Sequence, residues 1–187
     1  MIKKMALCGA IALGLSSTSA TANMFDGDTL VTLKHIDMSE SVGGGFELHL
    51  PVSKQWFIDF DAALTNPELS MSTKQMGASF EVGYKSERRH GFLYNYYIKA
   101  GQFVSQVEDG NAKVKDEQFG GEVGVNARIN QFIAYDVFAG KDFNGFAGVN
   151  IHLSLSSHVN LTMGYRTPTE RRDELNDMIT AGFMFNF

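Results

Sequence analysis

Hydropathy alternates residue by residue along most of this chain, and a period of two admits β-strands while excluding amphipathic helices. Phe80, Val82 and Tyr84 alternate with Ser79, Glu81, Gly83 and Lys85. Trp56, Ile58, Phe60, Ala62 and Leu64 alternate with Asp59, Asp61 and Ala63, and Val149, Ile151, Leu153 and Leu155 with Asn150, His152 and Ser154. The pattern predicts strands over 29–37, 42–50, 55–64, 75–86, 91–104, 118–128, 132–141, 145–155, 158–166 and 177–187. Thr32 and Lys34 interrupt the apolar face of the first. Ten strands is therefore the reading and eight the alternative.

A soluble sandwich and a membrane barrel with its apolar face outward both use such strands. Most of the predicted strands have the nine to eleven residues that a tilted strand needs to cross a bilayer. The polar face carries mid-strand charges at Glu47, Asp59, Glu81, Lys99, Glu122 and Asp136. Connections alternate in length. Those at 51–54, 87–90, 130–131 and 156–157 are tight, whereas 65–74, 105–117 and 167–176 are long and polar, as in barrels with short turns at one end and longer loops at the other. These features predict an all-β fold, one antiparallel transmembrane β-barrel.

The start of the chain fits export. Lys3 and Lys4 precede an apolar run from Met5 to Leu15, and Ala20-Thr21-Ala22 fits a small-residue cleavage site. The expected organisation is a secretory signal peptide over 1–22 and a single barrel domain over 23–187. Cys8 lies in the signal, and Met5-Ala6-Leu7 lacks the small residue that lipoprotein processing needs. The mature chain would contain no cysteine, so no disulfide holds the fold. Removing two lysines takes the formal charge from −5 to −7, which argues against nucleic acid as a partner.

The last strand presents Ile179, Ala181, Phe183, Phe185 and Phe187 on one face and stops on the final phenylalanine. This ending resembles the assembly signal of outer-membrane barrels, and Met163-Gly164-Tyr165-Arg166 before a polar loop resembles the penultimate strand of small OmpA/OmpX-like or YfaZ-like proteins. The resemblance implies localisation in a Gram-negative outer membrane, insertion by a barrel assembly machinery, and contact with outer-membrane lipids and lipopolysaccharide. It places both chain ends in the periplasm and implies no active site. Aromatics make up 12% of the chain, and Trp56, Phe92, Tyr94, Phe119, Tyr135, Tyr165 and Phe187 fall near strand ends, where rings favour the headgroup zone. Glycines gather on the inward parity, at Gly77, Gly83, Gly101, Gly120, Gly124, Gly148, Gly164 and Gly182, leaving room inside.

Candidate chemistry is sparse. Asp59-x-Asp61 and His35-x-Asp37 resemble the acid and Asp/His pairs of omptin-type proteases, but Asp59 and Asp61 fall near mid-depth, where a peptide scarcely reaches. Ser156, Ser157 and His158, the residue types of a lipid A deacylase, fall on a turn at the opposite end from the long loops. Gly43-Gly44-Gly45 lacks the Gly-Lys-Ser/Thr sequence and helix of a phosphate loop. His49 and His152 point inward without a third metal ligand. Glu87-Arg88-Arg89-His90 and Arg171-Arg172-Asp173-Glu174 read as solvated charge runs. No catalytic residue, cofactor or metal site is expected. The lumen is expected to gather Glu47, Asp59, Asp61, Glu81 and Glu122, with Lys85 and Lys99 offsetting part of the charge. The expected function is that of a small non-enzymatic surface or structural barrel; the alternative is a narrow, cation-preferring, porin-like channel.

Overall fold

The computed structural model describes residues 29–38, 41–67, 73–86, 94–109, 112–169 and 177–187. Ten strands run in chain order: β1 Leu30–Met38, β2 Ser41–Pro51, β3 Trp56–Pro67, β4 Thr73–Lys85, β5 Tyr94–Asp109, β6 Ala112–Arg128, β7 Ile133–Lys141, β8 Gly145–Ser154, β9 Val159–Pro168 and β10 Met178–Asn186. Each is antiparallel to its sequence neighbours, and β10 closes on β1 with Leu30 opposite Asn186 and Met38 opposite Met178. Closure leaves no sheet edge in the continuous wall, so the ladder satisfies its own backbone groups where water is absent. The first predicted strand is present, which selects ten over eight. Thr32 and Lys34 interrupted its apolar face because both point into the lumen.

The outside of the wall is apolar. Leu33, Phe46, Trp56, Phe60, Leu64, Phe80, Val82, Ile98, Val123, Val137, Ile151, Met163 and Ile179 are exposed there, while the residues between them face inward. Aromatic rings mark the end where the chain termini lie. Trp56 packs on Tyr84 with centroids 5.2 Å apart, and Tyr94 on Tyr96 at 5.4 Å.

Three turns at that end share one construction. In 52–55, 129–132 and 155–158 the second residue is Ser53, Asn130 or Ser156, and its side-chain oxygen accepts hydrogen bonds from the amides two and three residues on. The first two amides of each turn donate to one carbonyl, that of Trp56, Ile133 or Val159. Short hydroxyl and amide side chains complete tight turns in this way. The charge run at 87–90 and the expected strand start at 91–93, with Phe92, lie outside the described residues, as do the signal over 1–22 and the run at 171–174.

Of the expected long loop over 105–117, residues 105–109 and 112–117 are strand. β5 and β6 continue pairing to Asp109 opposite Ala112, with Val107 opposite Val114 and Lys113 Nζ 3.0 Å from Glu108. Residues 112–117 are all exposed. This stretch stands above the apolar belt with polar groups on both faces, which is why hydropathy gave it no period. The expected loop over 65–74 likewise shrinks, since β3 runs to Pro67 and β4 starts at Thr73. Strands thus run from 9 to 17 residues, longest in β5 and β6.

Candidate functional site: the charged lumen

The inward parity collects the charged residues, and the register sets their neighbours. Glu47 is opposite Asp61, His49 opposite Asp59, Asp59 opposite Glu81, and Lys99 opposite Glu122. Glycine supplies the space. Lys34 stands between Gly45 and Gly182, and Glu81 is opposite Gly101. Long side chains can therefore reach sideways to partners other than their direct opposites.

Two lysines tie the cluster together. Lys99 Nζ lies 3.0 Å from Glu81, 3.4 Å from Asp59 and 3.7 Å from Glu122, bridging β3, β4 and β6 from β5. Lys34 donates to Asp61 and lies 3.6 Å from Glu47. His49 Nδ1 is 2.6 Å from Asp59 Oδ1, and the Tyr97 hydroxyl donates to Glu122 at 2.7 Å. Five carboxylates thus share two lysines, with His49 and Tyr97 supplying further contacts. Charges this little exposed persist only when paired and hydrogen-bonded.

Lys85 is buried near the turn end, opposite Tyr97, and lies two positions beyond Gly83, the residue facing Lys99. Lys34 escaped the sequence reading; its parity, shared with Thr32 rather than with Val31 and Leu33, was the available signal. Two smaller polar groups also emerge. Asp136 accepts from Asn126 and lies 3.0 Å from His152 Nε2. Arg166 donates to Asp142 while its guanidinium sits 3.5 Å above the Phe146 ring.

Inward glycines also receive aromatic rings. A Cβ at Gly83 would lie 2.1 Å from the Phe57 ring, one at Gly124 2.4 Å from Tyr97, and one at Gly148 2.5 Å from Phe138. Each ring lies over the glycine directly opposite it on the next strand. Three of the eight glycines expected to leave open room, Gly83, Gly124 and Gly148, are filled in this way, whereas a Cβ at Gly77 would meet nothing within 4 Å.

The lumen is a cup. At the turn end Leu30, Phe57, Asn95, Ala134, Asn160, Met184 and Asn186 are buried, and Ser154 donates to Asn160, which donates to Asn186 at 3.2 Å. Above this floor and around the ion pairs lies a cavity of about 990 Å³ lined from His152 and Thr162 up to exposed Gln75, Val107 and Asp116 at the loop end.

The catalytic candidates resolve differently. Asp59 and Asp61 share the lumen face but are held by His49 with Lys99 and by Lys34, whereas His35 and Asp37 point outward and are exposed. No hydroxyl among the described residues hydrogen-bonds to His49 as a nucleophile would to its base. Ser156 completes its turn, at the end away from the loops. Gly43-Gly44-Gly45 is strand interior, where a Cβ on Gly43 would lie 2.0 Å from the Leu64 carbonyl oxygen. Among the described residues no group of three His, Cys, Asp or Glu is placed to hold a metal.

No protein-family model matches the chain, and no curated protein matches it. Among solved structures, the N-terminal β-barrel domain of Pseudomonas aeruginosa OprF aligns with a TM-score of 0.46 and 8% identity, covering 87% of this chain and 98% of that one. The outer membrane protein OprG of the same organism aligns with a TM-score of 0.46, 12% identity and coverage of 87% and 96%. The translocator domain of the autotransporter NalP from Neisseria meningitidis gives 0.43, 8%, 100% and 95%.

Proposed function

We propose that this chain is a small integral barrel of a Gram-negative outer membrane, non-enzymatic, whose ion-paired lumen is shut to solutes and whose loop end forms a compact surface. The observation that carries the reading is Lys99 joined to Asp59, Glu81 and Glu122 across the waist. Ion pairs tying four neighbouring strands brace the wall and occupy the bore, and the packed floor supports the same conclusion. The apolar outer wall and the rings at the turn end favour the bilayer. In this reading residues 1–22 direct export, and Phe183 and Phe185 on the outer face of β10, with Phe187 just beyond it, act as the signal read by the assembly machinery. Vesicles containing the purified protein should not swell in iso-osmotic sugar or amino-acid solutions. Swelling above that of protein-free vesicles would refute the shut lumen.

The cavity and the surplus of carboxylates over lysines support a second reading, a narrow cation-preferring pore. Rings of acid select cations. Reversal potentials under a salt gradient test it: cation preference should weaken in Asp59→Asn with Asp61→Asn, and anion preference would eliminate it.

A further inference from the structure

One place on the outer wall breaks its regularity. Around Ala100, between the exposed rings of Phe80 and Phe119, the surface sinks into a trough of about 650 Å³ that reaches Val82, Gln102 and Glu117. The register explains the dent. Phe80, Gln102 and Phe119 are opposite one another across β4, β5 and β6, and the adjacent row is Val82, Ala100, Gly121 and Lys141. Two minimal side chains, Ala100 and Gly121, thus lie beside two rings. A Cβ on Gly121 would approach the Lys99 carbonyl oxygen to 2.7 Å, so the hollow is fixed by the backbone.

The upper end of the trough is polar. Gln102 donates to Glu117 at 3.1 Å, and Lys115 pairs with Glu117. Lys141, exposed at the end of β7 opposite Gly121, makes no ion pair among the described residues. Phe119 lies nine positions from Arg128 at the turn end of β6, which at about 3.3 Å per residue and a tilt near 45° puts the dent close to the loop-end border of the apolar belt. A lysine at such a border lays its stem along the apolar wall and lifts its ammonium to the headgroups.

We infer that this trough seats one acyl chain of a phosphorylated lipid in the loop-end leaflet, with the headgroup phosphate received by Lys141 and Lys115. The inference rests on the membrane reading above. With the loop end outward, that lipid is lipid A. The hollow is lined chiefly by apolar groups, as an acyl chain requires, and Lys141 beside it, without an ion pair among the described residues, suits the phosphate.

Native mass spectrometry of the full chain released from micelles, titrated with purified lipid A and separately with phosphatidylglycerol, tests the assignment. Lipid A should be retained more tightly than phosphatidylglycerol. Lys141→Gln should weaken retention about tenfold, the loss of roughly one charge-assisted contact. Ala100→Leu, which fills the hollow without touching the cations, should weaken it as well, whereas Ile151→Leu on the far wall should not. Equal retention of the two lipids, or variants that retain lipid A like the parent, would overturn the inference. Failure of the protein to insert into vesicles at all would instead overturn the membrane reading beneath it.

Discussion

The two faces of each strand were shaped by different surroundings, and β4 shows the contrast at adjacent positions. Phe80 is 51% exposed on the outer face, and Glu81, its neighbour on the inner, is 4% exposed. Outward residues of the apolar belt meet their surroundings as a class, apart from ring pairs such as Trp56 on Tyr84. They need only be apolar and, near the turn end, aromatic. Inward residues are specified one by one: Lys99 by three carboxylates, Lys34 by two, and Gly83 by the Phe57 ring that covers it. The outer face is thus written in a class of residue and the inner face in particular residues, so substitutions on the two should fail for different reasons.

Lys99→Met should have the largest effect. It leaves Asp59, Glu81 and Glu122 facing one another without their shared cation, a loss of about 3–5 kcal/mol when one partner of a buried pair is removed. Urea unfolding in lipid vesicles measures it. The deficit should narrow in acid, where the surplus carboxylates are neutralised; a loss under 1 kcal/mol would show that the inner face is no more specified than the outer.

On the outer face, Val82→Arg should cost about 2–4 kcal/mol by placing charge against lipid. Val82→Leu, which keeps the class, should stay within about 0.5 kcal/mol. Equal penalties for Val82→Arg and the lumen substitution Ser79→Arg would break the contrast altogether.

Gly83→Ala comes next. The added methyl meets the Phe57 ring, and a forced shift of a packed ring costs about 1–3 kcal/mol. Gly77→Ala, where a Cβ meets nothing within 4 Å, should be tolerated and supplies the internal comparison.

The smallest effect belongs to the exposed contact at the loop end. Thr167 and Tyr165 donate to Asp177, and these bonds hold its carboxyl below the usual carboxylate range. A carboxyl depressed in the folded state contributes stability above its unfolded pKa and loses it as pH falls through the folded one. Amide exchange at the start of β10 should therefore quicken only below about pH 4, with global unfolding unchanged. Quickening at neutral pH would separate these hydrogen bonds from the ordering of that end.

The strand number and the parity of each strand were legible because an apolar surround and a polar interior impose one simple alternation. The height of the β5–β6 hairpin was not, because above the belt Gln106, Glu108, Lys113 and Lys115 lie where both faces can be polar and the alternation carries no information. The acidic half of the lumen was legible from parity and hairpin pairing, which put Glu47, Asp61, Asp59 and Glu81 on adjoining strands. Lys34 was missed because its partners lie on β2 and β3 and its reach depends on glycines at 45 and 182, one of them brought beside it only when β10 closes on β1. Ring-over-glycine contacts were hidden for the same reason, since a glycine looks like empty space until the facing residue is known.

Whether the ion pairs shut the bore is decided by single-channel recording of the purified full chain in planar bilayers, with Lys99→Met as its companion. The parent protein should give a flat trace across applied voltages, and Lys99→Met, where the waist has lost its tie, should open transiently. A steady current through the parent protein, unchanged in Lys99→Met, would contradict a shut bore.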